Sequence, residues 1–141
     1  MLVSTKGRYA LRIMLELGQQ DPAQYIPLPL IARRQEISEK YLESIVSVLV
    51  KGGLVEGQRG KNGGYRLCRP LNGISVGELL RLTETSLAPV SCLEQGAQPC
   101  PRAGACPTLP MWERLDDMIN RYLDSVTLAD LLNPAADTPA H

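Results

Sequence analysis

The stretch LVEGQRGKNGGYRLCRP, residues 54–70, restricts the fold more than any other part of this chain. Leu54-Val55 and Tyr65–Leu67 are short apolar flanks that read as two strands. Between them Gly60, Asn62, Gly63 and Gly64 supply the positive-φ capacity of a tight turn. Glycines add no side chain to a core and cost backbone entropy, so a glycine-rich tip carrying Arg59 and Lys61 belongs on the surface. Arg66 and Arg69 follow on the returning arm. The segment is not a nucleotide phosphate loop, because GxxxxGK[ST] and its strand–loop–helix context are absent. A basic hairpin tip suits contact with phosphates or a narrow minor groove, with Arg59 the leading candidate for the groove.

What precedes the hairpin is helical. In STKGRYALRIMLELG, with Ser4 and Thr5 as candidate caps, Tyr9, Ile13 and Leu17 recur at four-residue spacing and Gly18 stops the run. A short second helix starts around Pro29, with Leu30 and Ile31 as its apolar face. Ser38 caps a third, whose apolar stripe is Tyr41, Leu42, Ile45, Val46, Leu49 and Val50, ended by Gly52 and Gly53. Two short helices around a tight turn, the second with a small polar outer face, fit helix-turn-helix geometry. An ordinary helical subdomain fits the same pattern until the basic hairpin is added. With it, the expected fold is mainly α with a small β-hairpin wing: a winged helix-turn-helix. Its candidate DNA-facing residues are Ser38, Lys40, Tyr41, Glu43, Ser44, Arg59 and Lys61. Glu43 has two readings, an acceptor for a cytosine amino group or a surface charge repelling wrong sequences.

Beyond the wing, Ser75 and Glu78 form a capping-box pattern for a short helix containing Val76, Leu79 and Leu80. Periodicity then disappears over 84–110 and returns in MWERLDDMINRYLDSV. Met111, Leu115, Met118, Ile119, Tyr122, Leu123 and Val126 mark one apolar face there, read as a long C-terminal dimerisation helix because a palindromic site needs two reading modules. Thr127 and Asp130 cap TLADLL. The expected division is 1–83 DNA-binding domain, 84–110 cysteine-containing sensor loop, 111–133 dimerisation and terminal helices, and 134–141 tail.

Net charge is zero over 141 residues, which conceals an asymmetry. Residues 1–70 hold 11 Lys or Arg against 6 Asp or Glu; residues 71–141 hold 4 against 9. A basic first half facing an acidic second half hints at nucleic-acid contact. No apolar run approaches the roughly 18 residues of a membrane span, and the charged N-terminus does not resemble a secretory signal. Cytoplasmic placement, with no membrane partner and no organic substrate, is the expectation.

Cys92, Cys100 and Cys106 stand in SCLEQGAQPCPRAGACPTLPMW, among Gly and Pro typical of a surface loop; Cys68 lies apart on the wing. A reducing compartment disfavours a disulfide framework, which would leave one of the three unpaired. Thiol catalysis lacks a base, since the single histidine is His141 at the C-terminus, and no enzyme is expected. Zinc usually brings short CxxC knuckles and a clear fourth ligand. An iron–sulfur cluster suits three widely spaced thiolates better, with a redox-sensing thiol set as a further reading. Cys68 reads as a small semi-buried hydrophobe.

Several pieces together carry a resemblance: STKGRYAL, ISEKYLESI, RGKNGGYRL, SVGELL, the three-cysteine loop and TLADLL. Over residues 1–133 the chain resembles the bacterial winged-helix iron–sulfur regulators of the family that includes IscR, NsrR and RirA. The resemblance implies a homodimeric transcription regulator of double-stranded DNA, a repressor at a palindromic operator. It also implies a cluster on Cys92, Cys100 and Cys106 that sets operator affinity in response to iron, redox or nitric oxide status. Where IscR-like members carry a histidine this chain has Leu109, and where some NsrR-like members carry an acidic ligand it has Arg8. The fourth ligand is therefore unassigned, which favours a four-iron cluster with an open site over a two-iron one. Two alternatives belong to other classes: a cluster-less regulator sensing through thiols or a protein partner, and a zinc or electron-transfer protein without a DNA role.

Overall fold

The computed structural model describes residues 3–94 and 104–133. Helix α1 spans Thr5–Gly18, α2 Leu28–Gln35 and α3 Glu39–Lys51. Strands β1, Val55–Gln58, and β2, Gly64–Leu67, form one antiparallel hairpin. Helix α4, Val76–Thr83, follows; α5, Leu109–Ser125, and α6, Leu128–Leu132, close the chain. This is the winged helix-turn-helix read from the sequence.

The local signals act where expected. Ser4 accepts from the Gly7 amide at 3.0 Å and Ser38 from the Tyr41 amide at 3.1 Å, so each satisfies an orphan donor at a helix start. Pro27 stands before α2 and Pro29 within its first turn. The α2–α3 turn passes through Glu36 in the left-handed region at φ 56° and leads directly to the Ser38 cap. Thr127 and Asp130 form a reciprocal capping box, with bonds of 3.1 and 2.9 Å. The box at Ser75 is only half made. Ser75 accepts from the Glu78 amide, but the Glu78 carboxylate turns to Arg69 at 2.5 Å instead of reaching back.

With no phenylalanine, the core is aliphatic. Ile13 and Met14 of α1, Ile31 of α2, and Leu42, Ile45 and Leu49 of α3 are fully buried with Leu54, Ile74, Leu79 and Leu128. Each such side chain contributes roughly 1.5–3 kcal/mol of transfer free energy. Helix α1 is the most widely connected element, touching α2, α3, α4, α6 and β2, and α4 links it and α3 to α5. Leu128 shows that the chain returns to this core after α5, and its amide donates to the Ile74 carbonyl at 2.9 Å.

Helix α5 differs from the others because none of its residues is fully buried. It begins at Leu109, two residues before the expected Met111. The single apolar face expected there divides. Leu123 and the following Val126 pack against the core, whereas Met111, Leu115, Met118 and Tyr122 are exposed, at 53%, 37%, 59% and 56%. Ile119 lies between, half-buried. The physical reason is a tie to α4: Arg81 donates to Asp124 at 2.6 and 3.2 Å and to Asn120 at 2.8 Å. Gly77 permits that approach, since a Cβ there would stand 2.2 Å from Asp124 Oδ1. No helix among the described residues is long and apolar enough to cross a membrane.

Candidate nucleic-acid interface and thiol segment

Residues 39–51 form a helix because apolar residues recur on one face, and burial of that face fixes which side is left for solvent. The solvent side carries Glu39, Lys40, Glu43, Ser44 and Ser47, all exposed. The wing stands beside it. Between α3 and the hairpin lies a groove of about 920 Å³ whose walls include Glu43, Ser44, Ser47 and Lys51 from α3 and Gln58, Arg59 and Lys61 from the wing. Four expected residues, Glu43, Ser44, Arg59 and Lys61, thus line one concavity. Ser38 and Lys40 are exposed at the start of α3, outside the lining. Tyr41 is half-buried, its ring edge-on to Tyr9 at 5.9 Å between centroids, with the Arg12 guanidinium 4.8 Å from the Tyr9 centroid.

Ser47, Lys51 and Gln58 also line the groove and were not among the expected residues. Their signal was available: Ser47 and Lys51 follow Glu43 at successive four-residue steps, and so share its face. Val50 corrects the sequence reading. Assigned to the apolar stripe, it is 41% exposed and lines the groove, because it stands at the stripe's edge beside Ser47 while Leu49 next to it keeps the core face.

The wing's glycines divide in role. Gly60 and Gly64 use positive φ, 108° and 149°, whereas Asn62 and Gly63 do not. A Cβ on Gly64 would stand 2.2 Å from the Ile26 carbonyl oxygen, so the hairpin can meet the segment before α2 only through a glycine. The four basic residues divide too. Arg59 and Lys61 face the groove. Arg66 pairs with Glu56 at 2.6 Å and lines a cleft behind the hairpin, and Arg69 pairs with Glu78. The Glu56 bond holds the Arg66 guanidinium even further above its ordinary pKa.

The thiols occupy different surroundings. Cys92 is exposed on a 3-10 turn, Ser91–Leu93. Cys106 stands just before α5, where its sulfur lies 3.3 Å from Thr108 Oγ1. That contact, reinforced by the backbone at Thr108 and Leu109, lowers the Cys106 pKa and favours the thiolate, the form that binds metals and attacks electrophiles. Cys68 lies one residue beyond β2 and is exposed rather than semi-buried. Partial desolvation, then Glu56, raises its pKa. Cys100 lies outside the described residues, among which no three His, Cys, Asp or Glu side chains gather to hold a metal ion. Leu109 contributes an apolar side chain in the first turn of α5, and exposed Arg8 donates to Thr5 Oγ1 at 3.2 Å. Neither offers iron a lone pair.

The profile of the Rrf2 family, described as "Iron-dependent Transcriptional regulator", matches residues 3–134. The chain belongs to the Rrf2 family. The HTH-type transcriptional regulator IscR of Escherichia coli is 38% identical over 133 residues, 94% of this chain and 81% of that protein. Among solved structures, CymR, the global cysteine regulator of B. subtilis, superposes with a TM-score of 0.75 at 37% identity, covering 96% of this chain and 98% of that one. IscR of T. potens gives 0.73 at 37% identity, covering 100% and 93%. This Rrf2-family chain is accordingly a DNA-binding transcriptional regulator and not an enzyme.

Proposed function

We propose that this chain is a homodimeric repressor acting in the cytoplasm on a palindromic operator, with an affinity set by an iron–sulfur cluster held by Cys92, Cys100 and Cys106. The observation that carries the reading is the groove, which gathers Glu43, Ser44, Arg59 and Lys61 between α3 and the wing. A recognition helix in the major groove leaves a hairpin beside it to reach the backbone or the minor groove. Ser38, Lys40 and Tyr41 at the start of α3 complete the reading surface. Two such heads joined through the exposed row on α5 read the two half-sites.

The donor chemistry fits a thiolate-held cluster. Cys106 is biased to thiolate, Cys92 is accessible, and Cys68, biased the other way, stands on the wing. A four-iron cluster held by Cys92, Cys100 and Cys106 would supply iron that responds to oxidant, nitric oxide and iron availability. Holding Cys92 and Cys106 together would tie the chain after α4 to the start of α5. Arg81 joins α4 to α5, and α4 packs on α3, so this constraint reaches the reading helix through contiguous packing. A second reading, thiol sensing without a cluster, draws on the same lowered Cys106 and on the similarity to CymR, the global cysteine regulator of B. subtilis.

The test purifies the chain without oxygen, counts iron and sulfide, and measures binding to a labelled duplex from the gene's own upstream region. Iron and sulfide are expected in the wild type and absent from Cys92→Ala, Cys100→Ala and Cys106→Ala made singly. Operator affinity should differ about tenfold between loaded and metal-free protein. Protected protein without iron or sulfide leaves the thiol reading. Arg59→Ala should weaken binding and lower the salt slope by about one.

A further inference from the structure

A two-stranded hairpin is marginally stable alone in water, and this wing has only four paired positions, Val55 with Leu67 through Gln58 with Gly64. It is nevertheless held at a defined angle to the helix-turn-helix. Part of the hold is a backbone seam: the Ile26 amide donates to the Tyr65 carbonyl at 2.8 Å, and the Tyr65 amide to the Ile26 carbonyl at 2.9 Å. Val55, Tyr65 and Leu67 pack the strands on the core, and the polar side-chain hold converges on Arg66. Its Nε donates to Glu56 Oε1 at 2.6 Å, across the β1–β2 pair. Its Nη1 donates to the Ala23 carbonyl at 3.1 Å, and its guanidinium lies 4.3 Å from the centroid of the Tyr25 ring. One side chain thus links both strands of the wing to residues 23–25, three to five residues before α2.

We infer that Arg66 is a positioning residue for DNA binding, which sets the wing-tip cations Arg59 and Lys61 at their distance from α3 without touching DNA itself. Successive residues on a strand point to opposite faces. Tyr65 accordingly lines the groove, while Arg66 lines the cleft behind the hairpin. Its charge is answered by Glu56, and to reach a phosphate it would have to leave Glu56, Ala23 and Tyr25 together. The planar fork also explains the residue type: a lysine can keep the charge pair but lacks the flat face and fixed donor geometry that serve Tyr25, Glu56 and the Ala23 carbonyl at once.

The inference rests on reading the groove as the DNA-binding face, and the experiment separates the two. Binding of the full chain to the labelled upstream duplex is measured across a salt series, with thermal melting as a check of folding. Arg66→Ala and Arg66→Lys should both weaken binding about tenfold. Tyr25→Leu, which removes no charge, should act in the same direction. In a background already carrying Arg59→Ala and Lys61→Ala, Arg66→Ala should change affinity less than about twofold, because the groups it positions are gone.

Full restoration by Arg66→Lys, or an undiminished tenfold loss in the tip-less background with the salt slope falling by about one more, would mark a direct phosphate contact and overturn the inference. Melting of Arg66→Ala well below the wild type while Tyr25→Leu binds normally would assign Arg66 to stability alone, and also overturn it. Wild-type binding by the Arg59→Ala, Lys61→Ala chain would remove the groove reading and the inference with it.

Discussion

Helices α3 and α5 both carry apolar residues at helical spacing, yet α3 buries Leu42, Ile45, Val46 and Leu49, whereas α5 buries none of its residues fully. In α3 the row meets α1, α2, α4 and β1. In α5 the C-terminal half is tied to α4 by Arg81, while Met111, Leu115, Met118 and Tyr122 project outward at spacings of four, three and four. That is the spacing of a two-helix seam. A row of this kind gains little until something covers it, since transfer free energy follows the area removed from water. The reading head is complete within one chain, and the exposed row calls for another surface, which we propose to be its own copy.

The sharpest contrast between the two rows comes from truncation. Leu42→Ala should cost about 2–5 kcal/mol at any protein concentration, read as a fall in the urea midpoint. Met118→Ala should leave monomer stability within about 0.5 kcal/mol, as exposed positions do. A loss at Met118 as large as at Leu42, independent of concentration, would erase the distinction between the helices.

Charge sharpens the same point at the next level of effect. Met118→Glu places a carboxylate in the middle of the exposed row, where two copies would face each other. Sedimentation should show monomers, and operator affinity should fall by about two orders of magnitude as the two-headed advantage is lost. A Met118→Glu chain that stays dimeric would locate the contact elsewhere.

Much of the head was legible from sequence because its signals are local. Ser38 caps α3, the glycines mark the hairpin, and the apolar period of α3 selects the buried face. What escaped was decided at a distance. Met118 and Leu123 belong to one apolar pattern, and the difference between them is that Arg81, some forty residues away in sequence, binds Asp124 beside Leu123, with Gly77 leaving room for the approach. Arg59 and Arg66 look alike in a charge count, but strand alternation and Glu56 turn Arg66 to the other face. Val50 follows Val46 by four residues, yet it stands at the stripe's edge toward Ser47, against the groove rather than the core that Leu49 enters. The thiol segment was legible as chemistry through its three cysteines, whereas the lowering of Cys106 depends on Thr108 folding back at the foot of α5.

The smallest expected effect compares one thiol of the wing with one at the start of α5. Burial and Glu56 raise Cys68, and Thr108 lowers Cys106, so alkylation of metal-free protein should rise with pH earlier at Cys106 than at Cys68. The Thr108 contact stabilises the charged form. A group lowered in this way adds stability above its unfolded pKa and loses it as pH falls through the folded one. Thr108→Val removes the hydroxyl and should move the Cys106 midpoint upward while leaving Cys68 in place, read cysteine by cysteine by mass spectrometry after timed iodoacetamide treatment. The backbone contribution at Thr108 and Leu109 survives the substitution, so the midpoint should move only part of the way. An unmoved midpoint would assign the whole effect to the backbone at the start of α5, and Cys106 would then owe its reactivity to where α5 begins rather than to Thr108.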